Sequence, residues 1–152
     1  MPKIDIASVP VRASTIYPKP YDRVVQGREK QALGNAVGLS QFGVNLTRLK
    51  PGAASAMRHW HRHEDELIYM LEGELVLIEN EGETVLRAGD AAAFKADVPD
   101  GHCLVNRTAL DAVYLEIGTR AAFDRIDYPD DDLVLERDRN GPRFTRRNGE
   151  AP

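Results

Sequence analysis

The chain has little of what several protein classes require. One cysteine, Cys103, among 152 residues rules out an intrachain disulfide framework. No apolar run approaches the ~20 residues that a membrane-spanning helix needs, so no membrane partner is expected. The opening, Met1 to Pro10, lacks the apolar core of a secretory signal. A cytoplasmic location is therefore the expectation, and a lone thiol suits that reducing compartment. No long basic block is present, and 24 acids outnumber 20 bases for a formal net charge of −4. Nucleic acid is not an expected partner on that balance. Also missing are a glycine-rich phosphate loop and a Gly-x-Ser-x-Gly elbow. Two good helices for a helix-turn-helix are not there either.

Histidine is scarce as well, and its placement is the main signal. Of four histidines, His59, His61 and His63 fall within five residues, and Glu64, Asp65 and Glu66 follow at once. The fourth, His102, stands in a separate stretch after Gly89-Asp90. In an extended strand, residues two apart share a face. His59 and His61 can then project together with Trp60 turned away. A carboxylate after a turn and a distant histidine would complete a three-nitrogen, one-oxygen set. Imidazole suits Zn, Cu, Fe and Ni, and a carboxylate widens the choice toward Mn. A set of this kind leaves positions open for water or substrate. Glu64 competes with Glu66 for the carboxylate role. His63 shares the parity of its neighbours, so a set of His61, His63 and His102 is an alternative. The plainer reading of His63 is a rim residue able to act as an acid or base.

Hydrophobic residues at 42% and charged residues at 29% are ordinary for a globular domain, and the length suits one domain. Residues 1–38 read as an irregular arm packing on the rest. Pro10, Pro18 and Pro20 break it up, short strands are expected near Ile4 and Val24-Val25, and Arg28 to Leu33 reads as a helical turn ended by Gly34. From Leu39 the pattern alternates with period two: Phe42, Val44 and Leu46 against Gly43, Asn45 and Thr47. Further strands are expected at Met57–His61, Leu67–Leu71, Glu74–Ile78, Thr84–Arg87, Ala91–Phe94, His102–Asn106 and Ala112–Ile117. The runs at 67–71 and 74–78 are apolar on both faces, which predicts cover on both sides. In 121–152, Leu133 to Leu135 reads as a strand and Asp138 to Gly141 as a hairpin turn. The Arg143, Arg146 and Arg147 cluster reads as a solvated face of that hairpin, with an anion-binding lid as the alternative. Many short strands with regular turns indicate a double-sheet barrel or jelly roll.

The two histidine stretches resemble the paired motifs of the cupin superfamily. The first comprises Gly52, His59-Trp60-His61, Glu66 and Gly73; the second comprises Gly89-Asp90, His102 and Asn106. Two departures stand out: Lys95 where the family usually has proline, and Asp100-Gly101 as a two-residue insertion before His102. The resemblance covers residues 40 to 118. It implies an all-β fold, a single double-stranded β-helix (jelly-roll barrel) over 39–120, with the N-terminal arm and a C-terminal hairpin at 121–152. It also implies one divalent metal ion (Zn, Fe, Mn or Ni) held by His59, His61, Glu66 and His102. Some relatives of this type carry a sugar-phosphate isomerase label.

The resulting expectation is a metal-binding cupin acting on a small polar molecule, possible activities being metal-dependent sugar (phosphate) isomerase or iron-dependent dioxygenase. A non-catalytic ligand-binding or sensor cupin is the third alternative. A homodimer is expected. Tyr114 and Glu116 join His63 as catalytic candidates if Val113, Leu115 and Ile117 pack outward, a point that parity alone does not decide. Cys103 should turn away from the metal as a small core residue. Asn106 is expected to hydrogen-bond inside the barrel or close the loop at Arg107.

Overall fold

The structure, a computed structural model, describes residues 3–152. A short 3₁₀ turn at Ile6–Ser8 precedes β1 (Val11–Arg12), and a second at Tyr21–Val25 precedes β2 (Arg28–Ala32). One helical turn, α1 (Leu33–Ala36), leads into β3 (Phe42–Leu49), β4 (Trp60–His61), β5 (Glu66–Glu72) and β6 (Glu74–Glu79). Then come β7 (Gly82–Arg87), β8 (Ala91–Phe94), β9 (Cys103–Val105) and β10 (Ala112–Thr119). The chain closes with β11 (Asp124–Tyr128), β12 (Leu133–Asp138) and β13 (Gly141–Thr145).

All named pairings are antiparallel and form three sheets. The largest has six strands in the order β1-β2-β3-β10-β5-β8. A four-stranded sheet runs β13-β12-β11-β4, and a three-stranded one runs β7-β6-β9. Isolated bridges Ala54–Val105 and His59–His102 join the two smaller sheets into one layer facing the large sheet. The fold is thus the all-β jelly-roll sandwich that the strand pattern predicts.

Period-two alternation decides what lies between the layers. On β5, Ile68 and Met70 are buried, while Leu67, Tyr69 and Leu71 stay about 40% exposed on the outer face. On β10, Tyr114 points inward and is buried. The inner side chains Leu49, Ile68, Met70, Ala112 and Tyr114 of the large sheet meet Leu75, Leu77, Leu86 and Leu104 of the smaller one in the main core. A second core, of Met57, Ile126, Tyr128, Leu133 and Leu135, packs under Tyr17, Tyr21 and Phe144. The β5–β6 turn requires a glycine: Gly73 has φ +75°, and a Cβ there would meet the Asp111 carbonyl oxygen at 2.7 Å.

Several expectations change. Arg28–Ala32 is strand, paired with β3 from Arg28–Leu49 to Ala32–Asn45, and the helical turn begins only at Leu33 and includes Gly34. Its residues are long and polar because one face lines a wet cavity, so β2 shows no apolar alternation to read. The segments near Val24-Val25 and Ile6 are 3₁₀ turns rather than strands. The strand expected from Met57 shortens to Trp60–His61, with His59 held by its bridge to His102. The outer face of β5 has no cover among the described residues, although β6 is buried through Leu75, Val76 and Leu77. The C-terminal hairpin forms as expected, β12 to β13 through Asp138–Gly141.

The inserted Asp100-Gly101 has a use. A Cβ on Gly101 would lie 2.7 Å from Pro129 Cγ, so glycine lets the C-terminal segment dock against this loop. Arg58 fastens the same corner. It donates to both carboxylate oxygens of Asp130, at 2.7 and 2.8 Å, and to the Gly101 carbonyl.

Candidate metal centre

The site begins with a backbone exchange. His59 and His102 lie opposite each other and trade both hydrogen bonds: the His59 amide donates to the His102 carbonyl at 3.1 Å, and the His102 amide returns one at 2.9 Å. This brings two histidines 43 positions apart in sequence into one row, with ring centroids 4.7 Å apart. His61, two residues on, presents its ring 5.1 Å from that of His59. Glu66 enters from the opposite sheet at the start of β5.

All three Nε2 atoms converge on one oxygen. Glu66 Oε2 lies 3.1 Å from His102 Nε2, 3.7 Å from His61 Nε2 and 3.9 Å from His59 Nε2. The far sides of two rings are tied back. His59 Nδ1 is 2.8 Å from the Met57 carbonyl, which can only accept, so the proton sits on Nδ1. His61 Nδ1 likewise donates to Asp124 Oδ2 at 2.6 Å. Each ring then presents an unprotonated Nε2 to the site. His102 is held differently, stacked on Phe94 at 3.4 Å, with its buried Nδ1 lacking a partner among the described residues.

The electrostatics of His59 and Glu66 agree with a ligand set, and His61 is pulled the other way. Burial, and then the charge of His102, push the His59 pKa down to about 3, so that ring stays neutral near pH 7. Burial works against charge on Glu66, yet the His102 hydrogen bond and the neighbouring histidines hold its carboxyl well below the usual range. For His61 burial again opposes charge, but the hydrogen bond to Asp124 wins and raises its pKa. Asp124 itself is lowered: the His61 hydrogen bond outweighs its burial. His59, His61 and Glu66 offer ligand atoms within 4.8 Å of one another. Two imidazole nitrogens with oriented lone pairs, a third imidazole beside them and one carboxylate fit a borderline divalent cation.

A second cluster, His61, Glu64 and Asp124, meets the same distance test. It would use His61 Nδ1, the atom whose proton is given to Asp124. Glu64 is already engaged, accepting from Arg137 at 2.5 Å and from the Ala121 amide at 3.0 Å. Glu64 and Asp124 therefore read as the support behind His61.

The centre opens on a cavity of about 610 Å³ between the sheets. Tyr114 and Glu116 both line it, the inward parity that the sequence left open. Glu116 is bonded to Lys30 at 2.6 Å and to Asn45 at 3.2 Å, while the buried Tyr114 hydroxyl faces Thr47 across the sheet. His63 is not on the cavity wall. The chain bends after β4, so strand parity lapses, and the half-exposed His63 ring packs edge-on against Phe123 at 5.4 Å. Cys103 is buried beside His102, and burial pushes its thiol up to about 11, so it stays protonated and inert near neutral pH. Asn106 is fully buried. It donates to the Leu49 and Leu110 carbonyls and accepts from the Thr108 amide, closing the loop before β10.

Four contributors escaped the sequence reading. Asp124, with Ile126 and Tyr128, alternates buried and half-buried along β11, a period-two pattern inside a stretch read as polar tail. Tyr17 and Tyr128 form an aromatic cover, with the Tyr128 ring 6.0 Å from that of His59. Arg28 lines the cavity from β2.

An antiparallel jelly-roll sandwich with a histidine and carboxylate cluster facing its internal cavity defines a recognisable class, the cupin type. Comparison with known proteins agrees. The cupin domain family matches residues 45–118. A crystal structure of a sugar phosphate isomerase from a cupin superfamily, from Silicibacter pomeroyi DSS-3, is 44% identical. It covers 99% of this chain and 96% of that one, with a TM-score of 0.97. A protein of Acidithiobacillus ferrooxidans ATCC 23270, given the same description provisionally, is 30% identical over 78% of this chain and 76% of that one, TM-score 0.74. The polyketide cyclase RemF of Streptomyces resistomycificus, at 16% identity, 78% and 79% coverage and TM-score 0.65, shares the fold alone. No curated protein matches. The chain belongs to the cupin superfamily. No helix among the described residues is long and apolar enough to cross a membrane.

Proposed function

We propose that this cupin binds one divalent ion, Zn, Fe, Mn or Ni, through His59, His61, Glu66 and His102, and isomerises a small sugar or sugar phosphate. The observation that carries the reading is the convergence of three Nε2 atoms on Glu66, two of them oriented from behind, within a cavity large enough for a small polar ligand. Similarity to the Silicibacter protein supports the substrate class. A bound divalent ion would supply Lewis acidity toward a substrate carbonyl or hydroxyl oxygen.

The chain's own groups take the remaining roles. Asp124 and the Met57 carbonyl keep the rings in the right tautomer. Glu116, held by Lys30 and Asn45, is the cavity carboxylate placed to take and return a proton. Tyr114, kept un-ionised by burial, offers its O–H to a substrate oxygen. Tyr17 and Tyr128 keep water from that side. A homodimer and a cytoplasmic setting belong to the same proposal. The exposed stripe of Leu67, Tyr69 and Leu71 is the face a second copy would cover.

A second reading has its own observation. His59, His61 and Glu66 alone make a two-histidine, one-carboxylate set, the arrangement of non-haem iron oxygenases. Thermal melts of metal-loaded protein with aldose and ketose phosphates, followed by an isomerisation assay on whichever stabilises, separate the two. Stabilisation with interconversion supports the isomerase. Oxygen uptake with Fe(II) and no interconversion supports the oxygenase. Stabilisation without turnover of either kind leaves a ligand-binding cupin.

A further inference from the structure

Five cationic side chains reach the cavity wall: Arg12, Arg28, Lys30, Arg120 and Arg137. Lys30 is neutralised by Glu116, and Arg137 by Glu64. Arg120 is spent on the Leu39 carbonyl and Asn35, and Arg12 is exposed. Arg28 is different. It is half-buried, and its one partner among the described residues is the neutral Ser55 carbonyl, 2.6 Å from Nη1. A guanidinium carries five donors, so most of the fork is uncommitted. A partly desolvated cation without a counter-charge is costly to hold.

Other donors stand beside it. Lys30, Thr47 and Tyr114 occupy one row across β2, β3 and β10. Arg28 is two residues from Lys30 on the same face of β2. Thr47 and Tyr114 are fully buried opposite each other, the Tyr114 phenol feels a hydrogen bond from Thr47, and neither hydroxyl has a further partner among the described residues. Arg28 lines the same cavity as Tyr17, Tyr114 and Tyr128.

We propose that Arg28, with the Tyr114 hydroxyl, forms an oxyanion subsite that holds a phosphate monoester or carboxylate of the ligand in the same cavity as the histidine cluster. Arginine suits this because its planar fork pairs two oxygens at once. The subsite deepens the sugar-phosphate reading above and rests on it for the identity of the ligand. Its geometry does not depend on a metal.

The test is calorimetric titration of inorganic phosphate and acetate into the full chain, before and after chelator treatment. It uses wild type, Arg28→Gln, Arg28→Lys and Tyr114→Phe, with Arg107→Gln as a surface control and circular dichroism melts for folding. Arg107 pairs with Glu83 on the outside and should not matter. Phosphate is expected to bind wild type with or without chelator. Arg28→Gln should weaken it about ten- to hundredfold, the size of a lost charge-assisted contact, and Arg28→Lys should keep part of it. Should Arg28→Gln fail to fold, Arg28→Lys and Tyr114→Phe still report, each by a smaller loss. Tighter phosphate than acetate identifies a phosphate site, and the reverse a carboxylate site. Phosphate binding that is indifferent to Arg28, absent from wild type, or abolished by chelator overturns the proposal. Arg28-dependent binding in protein that never takes up metal would uphold the subsite and defeat the metal reading.

Discussion

Asp124→Asn is expected to weaken metal binding about 10- to 100-fold, the usual effect of removing a carboxylate behind a ligating histidine. The carboxylate is fully buried and accepts twice, from His61 Nδ1 at 2.6 Å and from the His63 amide at 2.9 Å. Asparagine has one accepting oxygen. Whichever donor it serves, its NH₂ group faces the other donor. If the amide keeps its bond, His61 escapes the conflict by moving its proton to Nε2, and the lone pair that should meet the metal is gone. Competition against a chromogenic chelator would measure the loss, with a thermal melt of the metal-free variant to show that the fold persists. An unchanged affinity would mean that Asp124 only fills space.

Leu133→Ala is expected to cost about 2–5 kcal/mol in urea unfolding, the range for emptying a well-packed aliphatic site. Leu133 is fully buried at the start of β12, against Met57, Ile126, Tyr128 and Leu135. Its strand backs β11, which carries Asp124 and pairs with β4 at His61. The C-terminal segment is therefore a wall of the site. Leu110→Ala, at a position 75% exposed, should change stability by no more than about 0.5 kcal/mol. A Leu133→Ala cost as small as that of Leu110→Ala would show that the second core does not hold the segment.

These two residues also show where the sequence was readable. His59, His61, Glu66 and His102 could be grouped because a strand puts alternate side chains on one face, and the motif spacing supplied the rest. The structure brings all four together. The strands β3 and β5 to β10 were legible for the same reason, since each has one face on an apolar core. Asp124 was hidden because its worth comes from a pairing across 63 residues, and a lone aspartate in a polar stretch gives no local sign. Arg28 was hidden more deeply. A strand that faces a wet cavity carries polar residues on its inner side, so its periodicity vanished and Arg28–Ala32 read as helix. His63 misled by parity, which holds only while the strand continues, and β4 ends at His61.

The central claim is that the three histidines and Glu66 form a metal centre. Elemental analysis of untagged protein, purified without chelator beside a His61→Ala variant, tests it most directly. The account predicts about one equivalent of Fe, Mn, Ni or Zn per chain in the wild type and little in the variant. Wild-type protein that holds no metal, even after reconstitution with each of these ions in turn, would contradict it.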